Sequence, residues 1–573
     1  MRGRGPRGTT SDFVVGLMGI IALLMMVTMV VVLVLDPSPE QQPFPSHSAG
    51  SLAVPGGDRA LDEAIGRWRD LRLSGVASAP TECVRVYVYD KFIERDEDLN
   101  PMVKKFVLSA LRDGTLEEND IETVRDAVFG RLIYEGENSL YLSSMRETSQ
   151  FSLAEIILFR LAIGGGSVRV TRDESEADVF YVPVLSARKD SRKWRERCIE
   201  PSIDFHLEHL SERTAHRHLF VIPKGHTVAL GDWCDQFWSM RGPKGLPSRR
   251  LLLRAMRLSY SDSPRYHLAE GSYLSASDAS DFSFGVGWRV WWKRTFSATE
   301  FLRRQFRDDF DSMRSQGYVS IFSVPYPSVV HWTPSGGDGA GRRSARFDGS
   351  AAPPPWISQH ERPLLLSFIG NDGHGEQRDV RRKVKANCDS NADGCLAIDP
   401  FILWRSPEQY AGRIPGLISN GTEIPFDIGV ATSDHSVFHR VKAASMFCAE
   451  PEGDAPGRKS IYDSLLLGCI PVVFSQRTLS LSPLHWTRDW KEDSCVYVDH
   501  DEFMSGGIDL MGELASLVRS GAAARMQETI RQNAAVLQYA PDSTAEGDAF
   551  DRIFAMAADR GTFISAFTGH DVR

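Results

Sequence analysis

The chain lacks an excess of positive charge. Its 573 residues carry 66 lysines and arginines against 75 aspartates and glutamates, which leaves a formal net charge of -9. A protein that binds nucleic acid neutralises phosphates with clustered basic residues, so this balance excludes nucleic acid as an expected partner. The length is sufficient for two or more domains with sizeable cores.

Closely paired cysteines are absent too. The eight cysteines include no C-x-x-C spacing, so neither a zinc site nor a thioredoxin-like redox site is expected. Their even number permits disulfides in an oxidising compartment. Cys388 and Cys395 are the predicted local pair because they are close in sequence, and the connectivity of the other six stays open. Asn420 begins the single N-glycosylation sequon.

Long apolar runs are absent except for one near the N-terminus. Residues 13–35 contain only apolar residues, glycine and one threonine, and as a helix they would extend roughly 34 Å, enough to cross a bilayer. Three arginines precede the run, which predicts a signal-anchor with residues 1–12 in the cytosol and the remainder translocated. A cleaved signal peptide is the alternative, although its apolar core is normally shorter. Residues 36–80 are rich in Pro, Ser and Gly and are predicted to form a stem.

Short apolar runs rich in β-branched residues recur after residue 80. Four of them begin at Val84, Val168, Val179 and Leu219, and another occupies residues 363–370. Such runs are typical of parallel strands that are covered on both faces. Helical patterns separate some of them, including one over residues 151–161, and residues 511–537 read as helical. The pattern predicts an α/β fold.

Residues 445–475 read as strand, loop, helix and strand. A glycine-containing loop that leads into a helix N-terminus favours anions, because free backbone N–H groups and the helix dipole attract negative charge. A carboxylate one turn into the helix suits a ribose hydroxyl, so the segment predicts a nucleotide site. The alternatives are a βαβ unit without a ligand and a simple i, i+4 pair of Lys459 with Asp463. The candidate ligands here are Gly453, Asp454, Gly457, Arg458, Lys459, Ser460 and Asp463.

The run GDAPGRKSIYDSLLLGCIPVVF at residues 453–474 resembles the donor-site block of the exostosin-like glycosyltransferases, in the plant and algal branch that includes the xyloglucan galactosyltransferases. The segment EADVFYVPV at residues 176–184 resembles another strand of that family. The strand at residues 363–370, with its turn at Gly370 and Asn371, resembles the first strand of the family's second domain, and the resemblance makes both turn residues candidate ligands of the nucleotide sugar. Arg378 and Arg381, on the helix that follows, are candidates for contacting phosphates, with a solvated helix face as the alternative.

The resemblance implies a GT-B fold, in which two Rossmann-like domains face a cleft behind a single N-terminal transmembrane helix and a stem. Residues 81–360 would form the acceptor domain and residues 361–573 the nucleotide-sugar domain. The implied reaction is an inverting transfer of a sugar, such as galactose, from a UDP-linked donor to a glycan hydroxyl. The nucleotide sugar is a co-substrate, and neither a metal nor a cofactor is expected.

The same resemblance implies a type II protein of the Golgi membrane with a lumenal catalytic part, and it admits assembly with other glycosyltransferases. The catalytic base would come from the acceptor half, where His226 and Asp232, and also Glu155, are candidates by position. Two alternatives stay open. The donor could carry a pentose or glucuronic acid, or the protein could be a non-catalytic subunit that stabilises a partner Golgi glycosyltransferase.

Overall fold

In the computed structural model, every described residue falls within Arg59–Arg573. The described residues are 83–95, 99–114, 116, 118–133, 144–150, 152–165, 167–183, 207–211, 213–221, 255–260, 320–332, 353–354, 356–372, 377–410, 412–424, 434–453, 457–475, 478–479, 485–486, 488–542 and 547–568.

Thirteen strands are present in the described residues: β1 (Val84–Val88), β2 (Val168–Thr171), β3 (Val179–Val182), β4 (His218–Val221), β5 (Met256–Ser259), β6 (Ser320–Ser323), β7 (Leu364–Ile369), β8 (Cys395–Ile398), β9 (Leu417–Ser419), β10 (Thr422–Ile424), β11 (Ser445–Ala449), β12 (Ile470–Val473) and β13 (Val496–Tyr497).

The α-helices of the same residues are α1 (Asp90–Arg95), α2 (Pro101–Asp113), α3 (Glu118–Phe129), α4 (Leu153–Ile163), α5 (Trp356–Gln359), α6 (Arg378–Ser390), α7 (Pro400–Arg405), α8 (Asp434–Ala443), α9 (Lys459–Leu467), α10 (Arg488–Lys491), α11 (His500–Ser505), α12 (Leu510–Arg519), α13 (Ala522–Asn533) and α14 (Ala549–Thr568). Short 3-10 helices occupy Ala215–Arg217, Pro407–Gln409 and Ala534–Leu537.

The strands form two parallel sheets and one hairpin. The first sheet has the order β2-β1-β3-β4-β5-β6, and the second has the order β13-β12-β11-β7-β8. Within the described residues, all strand pairings of these two sheets are parallel. In each sheet the first strand in sequence lies between its second and third, so the strand order reverses there, as in doubly wound folds. The predicted α/β fold with parallel strands is therefore confirmed.

Both sheets are buried on both faces, as the apolar runs predicted. In β3, Val179 and Tyr181 join one core while Phe180 and Val182 join another. In β8, Cys395 and Ala397 belong to the first core, whereas Leu396 and Ile398 belong to a third. Alternate residues of a strand point to opposite faces, so each sheet packs against other elements on both sides.

A continuous core connects the two sheets. It includes β1 residues as well as β12 residues. Three tyrosines contribute to it, because the ring of Tyr326 is 4.1 Å from that of Tyr260 and 5.9 Å from that of Tyr462. The loops after the first sheet therefore pack directly on α9 of the second.

Helix α14 packs against the first sheet, although it follows the second in sequence. It contacts β1, β3 and the 3-10 helix Ala215–Arg217. Arg160 of α4 lies 2.6 Å from the carboxylate of Asp548, immediately before α14, and neither side chain is exposed. The guanidinium also lies over the ring of Phe550 at 4.7 Å. This buried pair joins α4 to the segment that leads into α14.

The predicted signal-anchor (residues 13–35) and the predicted stem (residues 36–80) lie outside the described residues. Within the part of the chain that the structure describes, we find no helix with the length and apolarity needed to cross a bilayer. The prediction of one helix over residues 511–537 was wrong in detail. Gly521, in a left-handed conformation at φ 71°, separates α12 from α13, and a 3-10 helix follows.

Candidate functional site

The strand order of the second sheet locates a candidate site. The reversal lies between β7 and β11, which are direct neighbours. In open parallel sheets, ligands bind beyond the carboxyl ends of the strands at such a point. Gly370 and Asn371 follow β7, and residues 450–453 follow β11. The sequence had selected Gly370, Asn371 and Gly453 as candidate ligands, and the fold brings them to this edge.

Each of the two loops contains a glycine with little room for a side chain. A Cβ atom added to Gly370 would lie 3.1 Å from the ring of Phe368. A Cβ atom on Gly453 would lie 3.3 Å from Nη2 of Arg381 and 3.5 Å from Nε of Arg458. Both positions therefore favour a residue without a side chain, and two guanidinium groups border Gly453.

Arg458 lies between the two loops. It is the N-cap residue of α9, with extended backbone angles, and its side chain does not cap the helix. Its Nη1 donates to the carbonyl of Pro451 at 2.7 Å, and the position of a Gly370 Cβ is 4.0 Å from its Nη2. The guanidinium is thereby fixed beside a helix N-terminus, where anions are favoured.

Arg381 connects the same loops from α6. Its Nη2 donates to the carbonyl of Glu452 at 2.8 Å, and its Nη1 donates to the carbonyl of Asn371 at 3.0 Å. Arg378, one turn earlier on the helix, is exposed. The structure therefore places Arg381 at the loops and Arg378 at the surface of the first turn of α6.

Gln377 is a site residue that the sequence analysis missed. Its Oε1 accepts from the backbone N–H of Glu452 at 2.8 Å, and its Nε2 donates to the carbonyl of Phe474 at 3.0 Å. The residue thus ties the loop after β11 to the end of β12. No local sequence signal marks this contact, because both partners lie more than seventy residues away.

A second missed feature is a buried network around Glu450. Its Oε1 is 2.6 Å from Nζ of Lys442 and accepts hydrogen bonds from Ser460 and Ser464 at 2.9 and 2.8 Å. Its Oε2 is 3.6 Å from Nη1 of Arg458. Lys442 and Arg458 therefore flank the carboxylate of Glu450 on two sides. The network engages the hydroxyl of Ser460, which was a predicted ligand.

Lys459 and Asp463 form an ion pair on α9. Nζ of Lys459 lies 3.1 and 3.0 Å from the two carboxylate oxygens of Asp463. Oδ1 of Asp463 also accepts from Ser328 Oγ at 2.6 Å and from the backbone N–H of Val329 at 3.2 Å. Burial alone would raise the pKa of Asp463, but Lys459 and these hydrogen bonds hold it below its usual range. Asp463 therefore has partners within the protein, and its predicted ribose contact stays a prediction.

Two disulfides in the described residues attach to strands of the second sheet. Cys388 of α6 is bonded to Cys395 of β8, the pair that the sequence analysis named. Cys448 of β11 is bonded to Cys469, which immediately precedes β12. The second bond closes a loop that contains the Arg458 region and α9. It therefore limits the separation of the two strands from which the loop and α9 extend.

The remaining predicted residues are distributed as follows. Gly457 is buried directly before Arg458. Asp454 and two of the three base candidates, His226 and Asp232, lie outside the described residues, whereas the third, Glu155, is buried in α4. Asn420 is exposed in the two-residue turn between β9 and β10, with positive φ angles at Asn420 and Gly421. In the described part of the chain, no three His, Cys, Asp or Glu side chains are grouped as a metal ion would require.

Comparison with known proteins agrees with this geometry. Residues 301–505 match the Exostosin GT47 domain. The chain is 24% identical over 280 residues to a probable xyloglucan galactosyltransferase GT15 of Arabidopsis thaliana. This match covers 47% of this chain and 50% of that protein. It is 39% identical over 183 residues to a probable xyloglucan galactosyltransferase GT17 of the same plant, covering 31% of each. The chain thus spans half or less of the length of these relatives.

A search of solved structures found the pneumococcal O-GlcNAc transferase GtfA in complex with UDP and GlcNAc. The identity is 9%, the match covers 62% of this chain and 57% of that one, and the TM-score of 0.24 is too low to support any argument. The similarity therefore rests on the GT47 match and the plant relatives. Residues 301–505 resemble the Exostosin GT47 domain, and the chain is similar to plant proteins named as xyloglucan galactosyltransferases.

Proposed function

We propose that this protein is a glycosyltransferase of the GT-B type, which transfers a sugar from a UDP-linked donor to a hydroxyl of a glycan. Residues 361–573 would bind the nucleotide sugar and residues 81–360 the acceptor. The two doubly wound sheets and the names of the plant relatives support this proposal. Those names favour galactose as the sugar and a xyloglucan-like polysaccharide as the acceptor.

The position of Arg458 carries the proposal. Its guanidinium lies between Gly370 and Gly453 at the point where the strand order of the second sheet reverses. A pyrophosphate placed there would meet Arg458, the backbone of both loops and the N-terminus of α9. Arg381 would hold the two loops in register. Charged hydrogen bonds to phosphate are among the strong ones, and their two-point geometry suits arginine.

This arrangement suits the departure of a nucleoside diphosphate. When the bond between the sugar and the pyrophosphate breaks, negative charge grows on the leaving oxygen, and fixed positive groups stabilise it without reorganisation. With two arginines and a helix N-terminus at the site, the reaction needs no metal in this proposal. The acceptor hydroxyl would lose its proton to a base of the first half, for which His226 and Asp232 remain the candidates.

We further propose that the protein is anchored in the Golgi membrane by residues 13–35 with its enzymatic part in the lumen. The Cys388–Cys395 and Cys448–Cys469 disulfides support an oxidising compartment. The exposed turn at Asn420 would then be open to glycosylation.

The proposal is tested with the full chain by titration with UDP and by donor hydrolysis across a panel of UDP- and GDP-sugars. Arg458→Ala should reduce UDP affinity at least tenfold, because hydrogen bonds to charged groups contribute about 1.5–3 kcal/mol. Arg458→Lys should restore only part of it. The matched control is Arg382→Ala, since Arg382 is a half-exposed arginine of α6 that pairs with Asp379.

The outcomes separate the two functions considered. Turnover of one donor that is lost in Arg458→Ala would establish the transferase and identify its sugar. No binding of millimolar UDP by the folded wild-type protein would contradict the proposal. It would favour a subunit that stabilises a partner glycosyltransferase.

A further inference from the structure

Helix α7 presents two aromatic side chains to solvent. Phe401 is 54% exposed and Trp404 is 71% exposed, the two highest values among the exposed large hydrophobic residues of the described chain. Residues three apart in a helix are neighbours on its surface, with about 5–6 Å between their Cβ atoms. Single exposed apolar residues are common, but a pair of large rings on one face marks a binding surface.

The pair is held by a rigid support. Asp399 caps α7 by accepting hydrogen bonds from the backbone N–H groups of Phe401 and Ile402. Leu403 points inward and is buried beside Ile398 and Tyr410. The exposed rings therefore extend from a fixed helix. Binding of a ligand to them would order few additional side chains.

The helix begins beside the proposed donor site. The backbone N–H of Gly370 donates to the carbonyl of Ile398 at 3.0 Å, and Ile398 is the last residue of β8. Phe401 follows three residues later. With about 4.8 Å between strands and about 3.8 Å between consecutive Cα atoms, the Cα atoms of Gly370 and Phe401 are at most about 16 Å apart. A glycan of a few sugar units covers that distance.

We propose that Phe401 and Trp404 form a platform on which a neutral segment of the glycan acceptor stacks, a role that rests on the proposed transferase function. The acceptor would then extend beyond residues 81–360 onto α7 of the half that binds the nucleotide sugar. The C–H face of a pyranose ring packs well on the electron-rich face of an aromatic ring. Arg405, Glu408 and Gln409 are exposed next to them and can hydrogen-bond to sugar hydroxyls.

The charges around the platform favour a neutral ligand over a membrane. Arg405 and Glu408 are both exposed and of opposite sign. A segment that binds an anionic lipid surface carries a cluster of lysines and arginines around its apolar side chains. The α7 segment, residues 400–409, contains a single basic residue.

The test measures glycan binding in the absence of nucleotide. The full chain, kept in a detergent without a sugar headgroup, is titrated with cello-oligosaccharides of two to six units and with a xyloglucan heptasaccharide. Trp404→Ala should weaken binding about tenfold, as expected for the loss of one stacked ring. Phe401→Ala should weaken it severalfold, and Trp404→Phe should retain most of the affinity. The control is Met102→Ala, an exposed apolar residue of α2.

UDP affinity is measured on the same variants and should not change. Equal glycan affinity of wild type and both alanine variants would overturn the platform, as would the absence of any glycan binding by a wild type that binds UDP. If Trp404→Ala loses co-sedimentation with vesicles while its glycan affinity is unchanged, the platform is rejected in favour of a membrane contact. Failure of UDP binding in the wild type would instead count against the proposed function.

Discussion

Ser328 Oγ donates to Oδ1 of Asp463 at 2.6 Å, and this hydrogen bond joins the segment after the first sheet to α9 of the second. Asp463→Ala would leave the buried ammonium of Lys459 without its carboxylate. We expect the variant to lose about 3–5 kcal/mol of unfolding free energy, the cost of breaking a buried ion pair. Ser328→Ala, which removes the hydrogen bond to Asp463 and the one that Oγ accepts from the N–H of Val330, should cost about 1–3 kcal/mol.

The same variants separate a structural role of Asp463 from a ribose contact. Thermal unfolding gives the stability, and UDP titration at a temperature where the variant is folded gives the affinity. If Asp463→Ala is as stable as the wild type and has lost only UDP affinity, then the ribose contact is the correct interpretation. A large drop in Tm with UDP affinity retained would establish the structural role.

Gly453→Ala should reduce UDP affinity severalfold with little loss of stability. The added methyl group would lie 3.3 Å from Nη2 of Arg381, so that guanidinium would have to shift by a few tenths of an ångström, while its 3.5 Å contact with Arg458 is an ordinary one. Gly394→Ala is the matched control, because its Cβ would make only an ordinary contact at 3.9 Å with Leu365. Equal effects of the two substitutions on UDP titration would contradict a specific role for Gly453.

The stability of the protein should fall between about pH 4 and pH 7 because of Asp551. Burial, and then the neighbouring Asp548 carboxylate, raise the pKa of Asp551 to about 7. An unfolded aspartate titrates near 3.9, so between these values the folded state holds a proton that the unfolded state has lost. Stability then falls with rising pH by up to about 1.4 kcal/mol per unit and levels off above pH 7.

Asp551→Asn removes this dependence of stability on pH. The side-chain carbonyl oxygen of the asparagine can still accept from the N–H of Gly547, as Oδ2 of the aspartate does. The variant should match the wild type near pH 4 and unfold at a higher temperature at pH 8. Asp379→Asn, at an exposed carboxylate of α6, serves as the control. Parallel Tm profiles of wild type and Asp551→Asn from pH 4 to pH 8 would refute the assignment.

Peptide mapping without reduction should find Cys448 linked to Cys469 and Cys388 linked to Cys395, with Cys83 and Cys495 alkylated. Replacing Cys448 and Cys469 together by serine should lower the unfolding free energy by about 3 kcal/mol, because the lost disulfide closes a loop of roughly twenty residues. Cys83→Ser, at a half-buried free thiol, should change stability by less than about 0.5 kcal/mol. Alkylation of Cys448 in the unreduced protein would contradict the pairing.

The sequence was sufficient for features that depend on local patterns. Apolar runs located β1, β3 and β7, and the glycines and cations of residues 453–459 located the loop at the carboxyl end of β11. The partners of these residues could not be predicted, because they are distant in sequence. Ser328 and Asp463 are 135 residues apart, and Arg160 and Asp548 are 388 apart. Their side-chain types permit many partners, and only the assembled sheets determine which ones meet.

The return of α14 to the first sheet affects how the protein can be made. During translation Arg160 is synthesised long before Asp548, because the two residues of this ion pair are 388 positions apart. The aromatic contact between Tyr181 and Phe554 is formed equally late. Until then, β1 and β3 lack the helix that covers them, and the nascent first half displays apolar surface. Because α14 packs on the first sheet, that half of the protein is completed only after translation has passed residue 554. Until then its apolar surface is open to chaperones.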